Sequence, residues 1–254
     1  MRFILRLFGE ESAVGRFLNR LYVIVVSNLL FVLFCVPVVT IGASIAALDY
    51  TLMKFQRGDR LFKVVDTFWK GFRTNFVKAT VCFIALVLLA VFQALEITWC
   101  RQFQGPVALF QYALVGLMVL ETIVAIYFFP VIAAFNGKIP ELLRDALFFA
   151  FSKPHRMLLC LALNVLPLAG TYMNLQYLPL WAFLWLLFGF SAIAMLTTHV
   201  MLKQFMPFLP EVDICGDIIP PGMEDDPSIV RGDGDESDDE PDEKTLQEMM
   251  KYGL

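Results

Sequence analysis

VKATVCFIALVLLAVFQALEI, residues 77–97, has one basic residue near its start and one acidic residue near its end, with nothing charged between them. A helix needs about 20 mostly apolar residues to cross roughly 30 Å of bilayer hydrocarbon. No β-type alternation runs through the stretch, so it reads as a transmembrane helix whose backbone groups are satisfied within the segment. Residues 107–135, 157–172 and 178–201 read the same way. With 58% of the chain apolar, the region from 21 to 201 holds more apolar surface than a water-soluble domain could cover. The fold class expected is all-α: a polytopic transmembrane bundle.

The first apolar region, residues 21–54, is too long for one untilted crossing and a little short for two. Pro37 and Gly42 lie near its middle, and proline both breaks the helical ladder and disfavours α geometry just before itself. Residues 21–36 and 38–53 could therefore form a hairpin of short helices, or the region could be one kinked span. Charge weighs between these options, because cytoplasmic flanks carry excess Lys and Arg. The most basic stretch holds Lys54, Arg57, Arg60, Lys63, Lys70, Arg73 and Lys78, and Lys138, Arg144, Lys153 and Arg156 form another basic group. The connections at 98–106 and 173–177 carry only Arg101. Two crossings in 21–54 bring every basic cluster, including Arg2, Arg6, Arg16 and Arg20, to one side. We therefore read six membrane segments with both termini cytoplasmic; five, with the N-terminus outside, is the alternative. Trp99 and Trp181 would mark the outer interface.

The chain changes character after the last span. Residues 1–210 carry 17 Lys and Arg against 9 Asp and Glu, whereas 211–254 carry 3 against 15. Residues 204–254 are read as an acidic cytoplasmic tail, largely disordered because it lacks apolar residues to bury. At the other end, residues 1–20 mix arginines with Phe3, Leu7, Phe8, Phe17 and Leu18, as an interfacial amphipathic helix would. Cys35, Cys82, Cys100, Cys160 and Cys215 include no CxxC pair and read as small apolar fillers, with no metal site or cofactor expected.

Between the spans, residues 61–76 step apolar at Leu61, Val65, Phe68, Phe72 and Phe76, with Trp69 beside them, while Lys63, Asp66, Lys70 and Arg73 step along the opposite side. This pattern predicts a cytoplasmic amphipathic helix. Either it docks a partner, with Phe68, Trp69, Phe72 and Phe76 as anchors and Lys70 and Arg73 steering, or it is structural, lying on the headgroups or packed under the bundle. A second amphipathic helix is expected over 139–152, started by Pro140. The bundle domain spans 21–203 and includes both.

Polar side chains within lipid are functional candidates by default. Glu121 is the sharpest, midway along 107–135. Glu96, Asn28, Asn164 and His199 join it, with Gln93, Thr197 and Thr198 as further members of an interior polar set. A relay for protons or substrate and simple interhelical hydrogen bonding are both compatible with such residues.

Asn28-Leu-Leu-Phe-Val-Leu-Phe-Cys-Val-Pro37-Val-Val-Thr40-Ile-Gly42-Ala, followed by Ala46-Ala-Leu-Asp-Tyr50 and Phe68-Trp-Lys-Gly-Phe72-Arg-Thr-Asn75-Phe76, resembles the signature of the YesL-like bacterial membrane family, domain of unknown function 624. The motif residues are Asn28, Pro37, Thr40, Gly42 and Asn75. The resemblance implies a role near sugar import, because genes of that family typically lie beside carbohydrate ABC transporters and glycoside hydrolases; it implies no catalytic residues. Only His155 and His199 are present, and no HExxH, GxSxG or P-loop occurs, so no enzyme is expected. No Glu-Ala-Ala loop precedes Gly71, which argues against a standard permease subunit. The function expected is a non-catalytic accessory subunit of a carbohydrate ABC importer in the bacterial cytoplasmic membrane. Its partners would be lipid and either permease and ATPase subunits or further copies of itself, with no nucleic acid. A stand-alone small-solute transporter using Glu121 is the alternative.

Overall fold

The computed structural model describes residues 13–58, 62–103 and 106–208. The described chain is helical, without strands, and is built from eight α-helices: α1 Ala13–Cys35, α2 Ile41–Gln56, α3 Val64–Cys100, α4 Pro106–Ala134, α5 Ile139–Ser152, α6 Pro154–Met173, α7 Leu178–Leu184 and α8 Phe190–Phe205. A single turn of π-helix at Trp185–Gly189 joins α7 to α8 without interruption. Among the described residues, six stretches are long and apolar enough to cross a membrane: Val14–Cys35, Val38–Gln56, Val64–Cys100, Leu109–Ala134, Pro154–Met173 and Leu175–Phe208.

Of the two options for the first apolar region, the hairpin is the one found. α1 ends at Cys35, Pro37 is extended, and a short 3-10 turn at Val38–Thr40 leads into α2. The Thr40 hydroxyl donates to the carbonyls of Phe34 (2.5 Å) and Pro37 (2.6 Å). The Pro37 carbonyl also accepts the Thr40 N–H at 2.9 Å, so the hydroxyl matters most at Phe34, whose carbonyl lies in the last turn of the broken helix. α2 closes at Gly58, whose φ of 79° is the left-handed geometry favoured by glycine.

The amphipathic helix of 61–76 and the span of 77–97 are one element. No proline falls between Pro37 and Pro106, so nothing interrupts the helical ladder, and the 37 residues of α3 run roughly 55 Å at 1.5 Å per residue. That is well beyond the hydrocarbon thickness. Residues 13–20 are likewise the opening turns of α1, and the tail read from 204 starts later than expected, because residues 204–205 finish α8 and Met206–Phe208 form a 3-10 turn; the rest of the expected N-terminal helix and residues 209–254 of the tail lie outside the described residues. α5 begins and ends where the sequence placed it, with the Lys138 N–H donating to the Glu141 carboxylate at 2.9 Å.

α2 is the axis of the bundle. Gly42 lies against Ala79 and Phe83, Gly71 against Tyr50, and Phe55 meets Phe62. α2 and α3 therefore run antiparallel in close contact. Gly42, Ala43, Ala46 and Ala47 are all buried in α2, and such small residues let helix backbones approach within a membrane. One apolar core joins α1, α2 and the start of α3 through Val23, Phe31, Leu52, Phe68 and Phe72. A larger one joins α4, α5, α6 and α8 through Tyr127, Ile132, Leu142, Phe149, Cys160 and Phe205.

Candidate functional site

α8 is tethered to three other helices by side-chain amides. Asn28 of α1 donates through Nδ2 to the carbonyls of Trp185 (3.0 Å) and Leu186 (2.7 Å), and its Oδ1 accepts from the Ser191 N–H at 2.9 Å. These are backbone groups of, or next to, the π turn, where the ordinary i to i−4 ladder is interrupted. Gln56 of α2 donates to the Met195 carbonyl and the Thr198 hydroxyl, both at 2.9 Å. Asn164 of α6 donates to Thr197 Oγ1 at 3.1 Å.

Between these helices lies a cavity of about 540 Å³, walled by α1, α2, α3, α4, α6, the π turn and α8. It falls in the size range of small-molecule sites. Phe31, Phe83, Phe129, Trp185 and Phe190 contribute aromatic walls, and most of the remaining lining is aliphatic. Pro130 interrupts α4 here and has no N–H for the carbonyl of Ile126, and both residues line the cavity. Two carboxyl groups reach it: Glu121 from α4 and Asp49 from α2. Gln93 Nε2 donates to Glu121 Oε2 at 3.1 Å, joining two members of the predicted polar set. Asp49 is only 6% exposed and makes no hydrogen bond or ion pair with a described residue.

Of the predicted intramembrane set, Glu121 and Asn164 line the cavity, while Asn28 lies beside it as a clamp on the π turn. His199 departs from the prediction, because it faces outward from α8 rather than into the bundle. Glu96 is half-buried, one turn beyond Gln93, with no partner among the described residues. Asp49 was missed. It sat inside the quoted Ala46–Tyr50 motif of a short apolar half-span, and its charge in that span was the available signal.

The docking face also needs correcting. Phe68 and Phe72 are 1% and 8% exposed, and both rings pack on Phe34 of α1 with centroids 5.6 and 4.9 Å apart. They are core residues and cannot anchor a partner. The helix face turned inward is Val64, Thr67, Phe68, Gly71, Phe72 and Asn75, because α1 and α2 both pack on it. Trp69 and Phe76 stay 52% and 37% exposed, alongside exposed Lys70 and Arg73.

The motif residues have structural roles of their own. Pro37 and Thr40 make the hairpin break, Gly42 admits α3, Asn28 clamps the π turn, and Asn75 returns its amide to the Gly71 carbonyl at 3.2 Å. The architecture is that of a polytopic α-helical membrane bundle. Residues 24–97, from α1 through most of α3, match the family described as "Protein of unknown function, DUF624". No curated protein and no solved structure matches the chain.

Proposed function

We propose that the chain is a non-catalytic subunit of the bacterial cytoplasmic membrane that associates with a carbohydrate ABC importer. The resemblance supplies the sugar-import context. The observation that carries an interaction role is the edge of α3 where Trp69 and Phe76, although each packs one side on Phe72, keep 52% and 37% of their surface exposed beside exposed Lys70 and Arg73. Aromatic anchors with a cationic rim are the composition of interface hot spots. The expected result is that Trp69→Ala with Phe76→Ala releases permease and ATPase subunits in mild-detergent copurification while the protein stays inserted and monodisperse. Phe72→Ala instead destabilises the fold, by the roughly 3–5 kcal/mol typical of an emptied Phe site. Retention of the partner by the exposed double variant would sink the docking role.

The basic clusters support an orientation with the α2–α3 and α5–α6 connections in the cytoplasm. Single cysteines at Gly58 and Ser152 should be shielded from an impermeant thiol reagent in intact cells, and one at Asn174 should be labelled. Labelling at Gly58 would invert the assignment. A second reading, a stand-alone small-solute transporter, is favoured by the cavity that Glu121 and Asp49 share. Uptake by vesicles containing this chain alone separates the two.

A further inference from the structure

We infer that the cavity between α2, α4 and α8 is a binding site for an organic cation with an apolar body, an ammonium or phosphonium ion carrying aliphatic or aromatic groups, held by Asp49. Three features converge on that chemistry. Asp49 is a carboxyl group taken out of water, aimed at an open volume, and left without a hydrogen-bond partner among the described residues. A buried acid group in that state is stabilised by a cation that brings its own charge into the site. The walls are apolar, so the rest of the ligand must be apolar too. Phe31, Phe83, Phe129, Trp185 and Phe190 line the volume, and aromatic rings attract a cation of low charge density through their quadrupoles.

The same lining excludes the other candidates. A sugar would lose most of its hydrogen bonds on entering, with Asn164, Thr197 and two carboxyls as the main polar groups offered in return. A bare divalent cation requires six or more oxygen ligands, and no group of three or more His, Cys, Asp or Glu suited to a metal occurs among the described residues. An anion would meet two acid side chains. A neutral lipid chain would fill the volume but gain nothing from Asp49. Glu121 plays the lesser part, because its carboxylate already accepts from Gln93. Binding of this kind requires neither transport nor a partner subunit.

The test uses the full chain in lipid nanodiscs, titrated calorimetrically with tetraphenylphosphonium and, in parallel, with neutral triphenylphosphine oxide. Saturable binding of the cation at one site per chain is expected, with the neutral compound weaker by about tenfold or more, the equivalent of one desolvated charge pair. Asp49→Asn should weaken the cation by a similar factor and leave the neutral compound unaffected. Glu121→Gln, which preserves an acceptor for Gln93, should have a smaller effect. Ala90→Trp, which fills the cavity from α3 and leaves both acids in the chain, should abolish both. Equal binding of the two compounds, or cation binding unchanged in Asp49→Asn, would overturn the proposal and leave an apolar crevice occupied by lipid. If Asp49→Asn does not fold, unchanged cation binding by a monodisperse Ala90→Trp protein overturns it, and lost binding supports it.

Discussion

Gly42→Val should lower the melting temperature sharply. A Cβ built on Gly42 lies 2.5 Å from the Ala79 carbonyl oxygen and closer still to Phe83 Cβ, so it meets backbone of α3 rather than the free end of a flexible side chain. α2 cannot simply withdraw, because Tyr50 on Gly71 and Phe55 on Phe62 fix it along the same interface. Overpacking typically costs about 1–3 kcal/mol, and a clash with backbone belongs at or above the upper end. For a chain of this size that corresponds to a fall in Tm on the order of 10 °C. The control is Gly170→Ala, where a Cβ meets open space and helix propensity improves by up to about 1 kcal/mol. If Gly42→Ala unfolds at the same temperature as Gly170→Ala, the close approach of α2 and α3 is not what holds the bundle together.

Asn28→Leu is the second large effect. It removes three hydrogen bonds at once and leaves the Trp185 and Leu186 carbonyls and the Ser191 N–H without this partner. Interhelical hydrogen bonds in membranes average about 0.6 kcal/mol and reach about 1.7, so three at a fully buried residue are expected to contribute about 2–5 kcal/mol. Faster amide exchange confined to residues 185–191 should accompany the loss, because the π turn depends on Asn28. Asn28→Asp should not rescue it, since a carboxylate accepts from Ser191 but cannot donate to the carbonyls. Unchanged exchange over 185–191 would show that the turn holds itself.

The apolar runs specified the spans well because lipid demands long, uninterrupted, self-satisfied helices; Pro37 and the distribution of Lys and Arg then favoured a hairpin, and a hairpin is present. Less legible was anything set by a distant partner. Asn28 stood out as a polar residue in a span, yet its role depends on a π turn more than 150 residues away that has no local sequence signal. The amphipathic pattern of 61–76 correctly implied a buried face. It placed that face one residue off, on Val65 and Phe76 rather than Val64 and Asn75, because the true face is set jointly by α1 and α2. Asp49 carried a visible signal, a charge in an apolar half-span, but the cavity it faces is built by α1, α3, α4, α6 and α8 from distant parts of the chain, and nothing in the surrounding alanines records it.

The unbroken length of α3 also has a mechanical side. The helix that presents Trp69 and Phe76 at one end supplies Phe83, Val87 and Ala90 to the cavity wall and Gln93 to Glu121 further along. With no proline to act as a joint, it behaves as a lever rather than a chain of links. Pivoting about its midpoint by only 5° would displace each end of such a rod by roughly 2 Å. That is the scale of the helix shifts by which packed bundles switch state. Such a pivot would carry a displacement of the partly exposed aromatic edge to Gln93 and its hydrogen bond with Glu121 without any rearrangement of the loops between.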